Sequence, residues 1–295
     1  MLSIIIPYYK ITFFDKTIQS LANQTNKNFK VFIGDDNSQN NPSELLEKYK
    51  GKFQFQYTKF DENFGSNDLV QQWNRCIELD NSENKWLMIL GDDDVLDKNV
   101  VEEFHNQRNK FEDSINVVRF STIKINQKGD FISDIYYNPI TENSADFLFR
   151  ETRSSLSEYV FRKDDLIKTT IKKFPLAWYS DVLAVLEVSD FKEIYSINEA
   201  VVKIRISDES ISGNSDNMSK KIKASFQFYY YLLYCKNEFF TENQRQILLQ
   251  KLNNSYFHRK KSAMNFFKIS FLHLKYFSTK EYLNFLKSFW QKIKK

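Results

Sequence analysis

Three consecutive carboxylates, Asp92, Asp93 and Asp94, follow the apolar run Trp86-Leu87-Met88-Ile89-Leu90 and Gly91. The run has the length and composition of a buried strand. Like charges this close cannot be buried without something positive beside them. A divalent cation, Lys and Arg side chains, or open solvent would serve. Mg2+ and Mn2+ take carboxylate oxygens and keep positions for water or substrate phosphates, so the triplet is a candidate cation site. The competing reading is a solvated turn or a helix cap.

A second acidic pair has the same surroundings. Phe29-Lys30-Val31-Phe32-Ile33-Gly34 runs into Asp35-Asp36 and then Asn37-Ser38. Strands of one parallel sheet align their trailing residues along one C-terminal edge, where ligands bind in open α/β sheets. Leu2-Ser3-Ile4-Ile5-Ile6 forms a third buried-type strand, with Pro7 expected to stop it. A helical segment comes next, with Ile11, Phe14, Ile18 and Leu21 on one face. The order strand, helix, acidic strand, helix, strand, helix, acidic strand predicts βαβ units with right-handed crossovers.

These pieces together resemble a known family. Ser3-Ile4-Ile5-Ile6-Pro7-Tyr8-Tyr9, Thr17 to Leu21 with Gln24-Thr25, and Gly34-Asp35-Asp36-Asn37-Ser38 are similar to the start of a family 2 glycosyltransferase of the GT-A type. Asn63-Phe64-Gly65, Trp73-Asn74-Arg75-Cys76-Ile77 and Leu90-Gly91-Asp92-Asp93-Asp94 continue it in the family's order, and the resemblance fades beyond about residue 215. It implies an α/β fold, a Rossmann-like nucleotide-binding mixed sheet flanked by helices, here with a helical C-terminal extension. Residues 1–217 would be the catalytic domain, with 1–100 as its nucleotide-sugar half and 101–217 as its acceptor-side half. The activity implied is inverting transfer of a sugar from a nucleotide-diphosphate sugar, most readily a UDP-sugar, to a saccharide hydroxyl.

The resemblance also implies roles. Asp93 is the direct ligand of Mn2+ or Mg2+, and Asp92 lies near ribose and metal. Asp36 lies near the base, where a carboxylate accepts an N–H of uracil or guanine. Pro7, Tyr8, Asn63, Gly65 and Asn74 belong to the nucleotide site. Asp35 and Asp94 either join them or cap the helices that come after. Asp181, in Trp178-Tyr179-Ser180-Asp181, is the candidate general base; it also suits a cap on the apolar segment Val182 to Val188. Trp178 and Tyr179 are candidate sugar platforms. Arg205 falls where the family has Arg-x-His on the diphosphate side, but Ser207 stands in place of the His. That substitution leaves the third metal contact open, with Asp208 nearby, and Ser180 stands where many members have Glu. The Gln-x-x-Arg-Trp signature of processive synthases is absent, which implies one transfer per binding event.

Charge divides the chain. Residues 218–295 hold 16 Lys and Arg against 3 Glu, a net of +13, whereas residues 1–217 carry a net of −9. In this basic helical tail, Tyr282, Leu283, Leu286, Phe289, Trp290 and Ile293 recur at helical spacing, with Lys280, Lys287, Lys292, Lys294 and Lys295 elsewhere. A basic amphipathic helix reads either as a membrane-surface element drawn to anionic lipid or as a core-packing stripe with solvated lysines. Lipid-linked acceptors of bacterial surface polysaccharide synthesis (capsule, O-antigen, lipopolysaccharide) fit the first reading.

The two cysteines lack metal or redox spacing, no apolar run approaches the ~20 residues of a spanning helix, and the first strand starts at Leu2. A cytoplasmic protein, at most peripheral on the inner membrane face, is the expectation. His105, His258 and His273 show no paired metal spacing, and no nucleic-acid module is recognisable. A catalytically silent sugar-nucleotide module is the main rival. A phosphoryl-switch domain would be complete in ~120 residues, and a dinucleotide fold would need G-x-G-x-x-G after the first strand.

Overall fold

The computed structural model describes residues 1–150, 154–208, 217–258 and 262–293. The serine-rich stretch 209–216, Lys294, Lys295 and the side chains of Lys292 and Ile293 lie outside the described residues. The chain forms two compact units, Met1–Lys173 with Ser180–Asn214, and Phe174–Tyr179 with Ser215–Lys295.

The first unit is built on a nine-stranded mixed sheet. Its N-terminal part alternates β1 (Leu2–Tyr8), α1 (Phe14–Ala22), β2 (Phe29–Asp35), α2 (Ser43–Lys48), β3 (Gln54–Lys59), α3 (Leu69–Ile77) and β4 (Trp86–Ile89). The short β5 (Val95–Leu96), α4 (Val100–Gln107) and the long β6 (Val117–Ile125) come next. The strands β7 (Thr141–Asn143) and β8 (Tyr159–Arg162), helices α5 (Lys163–Thr169) and α6 (Ser180–Val188), and β9 (Glu193–Arg205) complete it. The order across the sheet is β3-β2-β1-β4-β8-β6-β9-β5, with β7 on β9. The first four strands are parallel, and β8 is inserted antiparallel between β4 and β6.

Sequence explains the layering. β1, β2 and β4 are almost wholly buried, as continuous apolar runs in a two-sided parallel sheet must be. β3, at the edge, alternates polar and apolar residues. Pro7 does not end β1, which continues through Tyr8. Pairing with β4 stops at Ile5 opposite Ile89, so the missing N–H of Pro7 falls where only β2 flanks the strand. Ile11 precedes α1 and packs against the core from there.

The second unit holds α7 (Met218–Cys235), α8 (Glu242–Phe257), α9 (Ala263–Tyr276) and α10 (Thr279–Ile293). A capping box opens α8: Gln244 N–H donates to Thr241 Oγ1, and Thr241 N–H to Gln244 Oε1. Rings of Tyr256, Phe266, Phe285 and Phe289 pack together across α8, α9 and α10. The predicted tail stripe is therefore divided. Phe289 packs inward on Phe266, while Leu283 and Trp290 are exposed.

Candidate active site

The ends of β1, β2 and β4 converge at one sheet edge. The backbone N–H groups of Tyr9 and Lys10 both donate to Asp92 Oδ2 at 2.8 Å, tying the turn after β1 to the acidic triplet. Thr17 of α1 donates its hydroxyl to the carbonyls of Asp92 (3.1 Å) and Asp94 (2.8 Å). Asp94 is buried with both oxygens engaged. Oδ1 accepts the Arg205 N–H at 2.8 Å, and Oδ2 accepts the Ser157 hydroxyl at 2.5 Å. Ser157 Oγ in turn accepts the Gly91 N–H at 2.9 Å. Asp94 caps no helix; it joins three distant chain segments.

Asp93 is different. Among the described residues no other residue donates a hydrogen bond to its carboxylate, and only its own backbone N–H does. Burial first, then the charges of Asp94 and Asp92, hold its carboxyl well above the usual carboxylate range, with Arg205 opposing. Burial also raises Asp92, against the donated N–H groups of Lys10 and Tyr9. A Cβ on Gly91 would come within 3.1 Å of both Asp93 Oδ1 and Asp94 Oδ2, so glycine lets the strand end lie beside the carboxylates. Among the described residues no three His, Cys, Asp or Glu side chains form a ready cation cage. One or two carboxylates supplemented by substrate phosphates is how Mg2+ is usually held. The donor set fits that arrangement.

Arg205 and Ser207, expected on the diphosphate side, are more committed than their sequence suggests. Arg205 is buried, with Nε donating to the Asp93 carbonyl at 2.9 Å and Nη1 to the carbonyls of Asn126 (2.8 Å) and Gln127 (3.2 Å). Its guanidinium lies 4.5 Å from the Phe13 ring centre. Arg205 therefore supplies its charge to the triplet while its donors hold backbone. Ser207 is buried just past the end of β9.

Beside β2, Asp36 holds a turn. Its Oδ1 accepts the Phe64 N–H at 2.7 Å and an N–H of Arg75, and its Oδ2 accepts the Gly65 N–H at 2.8 Å. A Cβ at Gly65 would meet Asp36 Oδ2 at 2.5 Å, so only glycine permits this approach. Arg75 is stacked between the rings of Phe60 (3.9 Å) and Phe64 (4.2 Å). Asn63 closes the turn by accepting the Ser66 N–H at 2.9 Å, and Asn74 precedes Arg75 on α3. Asp35 is fully buried: it accepts the Ser38 N–H at 2.7 Å and the Tyr57 hydroxyl at 2.5 Å, and it caps no helix. Pro7 lies opposite Gly34. Tyr8 is also fully buried, its hydroxyl on the Asn40 carbonyl at 2.7 Å and its ring on Phe14. The exposed ring at this edge is Tyr9.

On the acceptor side, Asp181 occupies the first turn of α6, where the helix dipole favours a carboxylate. Its charge acts on the buried carboxyl of Glu158. Burial pushes Glu158 up to about 8, against the pull of Arg119, the Ser155 N–H and Tyr159. Glu158 immediately follows Ser157, which touches the triplet, so adjacent residues link Asp181 and the acidic edge. Trp178 and Tyr179 belong to the second unit. The Tyr179 ring stacks on Phe228 with centroids 4.5 Å apart and planes at 2°, and its hydroxyl pairs with that of Tyr229 at 2.8 Å. One face of this predicted platform is thus already covered. The Trp178 ring lies 4.9 Å from Lys221 Nζ.

Residues 3–167, more than half of the chain, match the profile of Glycosyl transferase family 2. The chain belongs to that family. No curated protein matches it significantly. Among solved structures, S. aureus TarS residues 1–349 with UDP-GlcNAc aligns with a TM-score of 0.66 at 14% identity, over 92% of this chain and 79% of that one. The corresponding complex with UDP gives 0.63 at 15% identity, over 89% and 73%. A longer TarS structure gives 0.61 at 17% identity, over 99% of this chain but 49% of that one. The likeness establishes the GT-A fold, a mixed sheet flanked by helices with a helical C-terminal region.

Several residues of the candidate site were not legible in the sequence. Ser157 and Glu158 carry no motif signal, and Thr17, inside the segment Thr17 to Leu21 that resembles the family, has nothing in its type that marks it as a neighbour of the triplet. Arg75 stands inside a quoted motif, and the ion pair with Asp36 could have been suspected from its charge alone. The pair formed by Arg119 and Glu142, with Arg150 on the same carboxylate at 2.5 Å, had no such signal.

Proposed function

We propose that this protein is an inverting, non-processive glycosyltransferase that moves a sugar from a UDP-sugar to a saccharide hydroxyl, in the synthesis of a bacterial surface polysaccharide. The observation that carries the reading is the Asp93 carboxylate, lacking a donor from any other described residue at the edge of a parallel sheet while its two neighbours are held by backbone and hydroxyl groups. Family membership and the UDP and UDP-GlcNAc bound to TarS, whose fold it shares, support a uridine donor.

Asp93 and Asp92 would hold Mn2+ or Mg2+. When bound, such a cation offsets charge developing on the departing diphosphate. Asp94, Ser157 and Arg205 orient the triplet, and Arg205 tempers its repulsion. The turn Asn63–Gly65, braced by Asp36 and Arg75, bounds the nucleotide with Pro7, Tyr8 and Asn74. Asp181 takes the proton of the attacking hydroxyl as the new bond forms on the opposite face of the sugar.

A lipid-linked acceptor suits a surface-bound enzyme at the inner face of the cytoplasmic membrane. No described helix is long and apolar enough to cross one. However, Met264, Phe267, Phe271 and Leu274 recur at helical spacing along α9 and are 65, 68, 47 and 73% exposed, with Lys268 and Lys275 on the same helix. This stripe is the proposed contact with anionic lipid.

Thermal shift with UDP and GDP, each with and without Mn2+, tests the donor site. Metal-dependent stabilisation by UDP in the wild type, lost in Asp93→Asn, is the expected result. Unchanged nucleotide affinity in that variant would sink the metal assignment. Asp181→Asn should retain donor binding and lose transfer; turnover in that variant would move the base elsewhere. Sedimentation with anionic vesicles, lost on Phe267→Glu, tests the lipid contact.

A further inference from the structure

The helical unit contains a cleft of about 380 Å³ between α8, α9 and α10, within the size range of ligand pockets (about 300–1,000 Å³). His273 of α9 lines it and is 1% exposed, and among the described residues neither ring nitrogen has a hydrogen-bond partner. On α8 the buried Oδ1 of Asn253 also lacks a partner. Buried polar atoms without partners are rare in native structures, and each calls for an explanation such as an absent ligand or water. Here all three belong to two residues that line one cleft.

The lining indicates the ligand. Five of its side chains are amides, among them Asn253, Asn254 and Asn284, and among the described lining residues there is no Lys or Arg. The one carboxylate, Glu281, already accepts the backbone N–H (2.7 Å) and hydroxyl (3.0 Å) of Ser278. Among the described lining residues a phosphate, nucleotide or anionic headgroup would find no cation, although the surrounding segment is strongly basic. A neutral, hydroxyl-rich molecule is suited instead. An amide presents a donor and an acceptor side by side, Gln246 being paired with Glu281, and Phe257, packed on Tyr256 and Phe285, brings an aromatic ring to the lining. Burial lowers His273 to about 4, with only the charge of Glu281 opposing, so its ring is neutral near pH 7 and offers one donor and one acceptor.

We propose that the cleft between α8, α9 and α10 is a binding site for a neutral saccharide unit. The inference rests on the side chains of the helical unit alone and survives if the catalytic reading fails. Through it the chain would hold a glycan at a point not involved in transfer.

The test uses the full chain with saturating UDP and Mn2+, which separates this site from the donor site. Saturation-transfer NMR and calorimetry are run with glucose, N-acetylglucosamine, cellotriose and chitotriose, alongside glucose 6-phosphate. Binding of at least one neutral sugar is expected, with the His273 ring ¹⁵N signals shifting on its addition. His273→Phe keeps the aromatic packing and should weaken that binding by about tenfold or more, while the UDP-dependent thermal shift stays unchanged. Asn284→Ala, an exposed substitution on α10, should weaken it as well and serves if His273→Phe fails to fold. No binding by any neutral sugar, preference for the phosphorylated sugar, or neutral-sugar binding undiminished in both variants would each overturn the proposal.

Discussion

Replacing Asp36 by Asn probes the brace beneath the nucleotide turn. Asp36 accepts three hydrogen bonds, two on Oδ1 and one on Oδ2, and every donor is an N–H. Asn must direct its own NH2 at one of them, and it removes the charge that faces Arg75. Breaking one partner of a buried pair costs about 3–5 kcal/mol. The Arg75 side chain keeps 14% of its exposure and its two aromatic neighbours, so the expected loss is nearer about 2–4 kcal/mol. For a domain of this size that lowers Tm by roughly 5–15 °C. Calorimetry on Asp36→Asn, Arg75→Met and the double variant closes the cycle. The double variant should be more stable than the sum of the two losses predicts, by about 1–3 kcal/mol, and Asp36→Asn should weaken UDP binding. Additive losses, or full UDP affinity in Asp36→Asn, would refute the idea that this pair shapes the site.

Ser157→Ala removes the acceptor of the half-buried Gly91 N–H and a donor to the buried Asp94 carboxylate. A loss of about 2–4 kcal/mol in urea unfolding is expected, with weaker Mn2+ binding; unaltered Mn2+ affinity would show that the tether does not order the triplet. Because Asp92 and Asp93 are raised and a cation would need them ionised, Mn2+-dependent nucleotide stabilisation should grow as pH rises above the ordinary carboxylate range. A flat profile would contradict this. Glu158 is raised to about 8 by burial, with Asp181 adding to it and Arg119, the Ser155 N–H and Tyr159 opposing. The folded state thus keeps a proton that the unfolded chain releases. That stability is complete below the unfolded value and is lost as pH rises through about 8. Glu158→Gln should flatten this decline in Tm; a wild-type slope retained in the variant would assign it elsewhere.

The fold was legible because its signals are local. Apolar strand, glycine and acid recur at Gly34 and Gly91, and the helical patterns between them leave few topologies. What each acid does was not legible. Asp92, Asp93 and Asp94 are equivalent as letters, and they are sorted by the backbone at Tyr9 and Lys10, by Ser157 and by Arg205, the last two 63 and 111 residues beyond Asp94. Tyr8 closes β1 and is buried, whereas Tyr9 stands in the turn after it and is exposed, and the buried one was the one singled out. In the tail, periodicity finds an apolar face on α10 but cannot tell that Phe285 and Phe289 meet Tyr256 while the outward stripe lies on α9.

The antiparallel insertion of β8 has a consequence for how the protein can be made and cut. Trp86–Ile89 gains its second neighbour only when residues 160–162 arrive, and Asp94 gains its last ligand only with Arg205. Pairings this distant in sequence slow folding, because a long loop must close before they form. Until then β4 is an apolar strand with an unpaired rim, the kind of edge that recruits other chains. A fragment ending near residue 100 would carry every acidic motif yet expose that rim, and it should aggregate rather than bind nucleotide. During synthesis the same rim stays open until the ribosome has delivered β8.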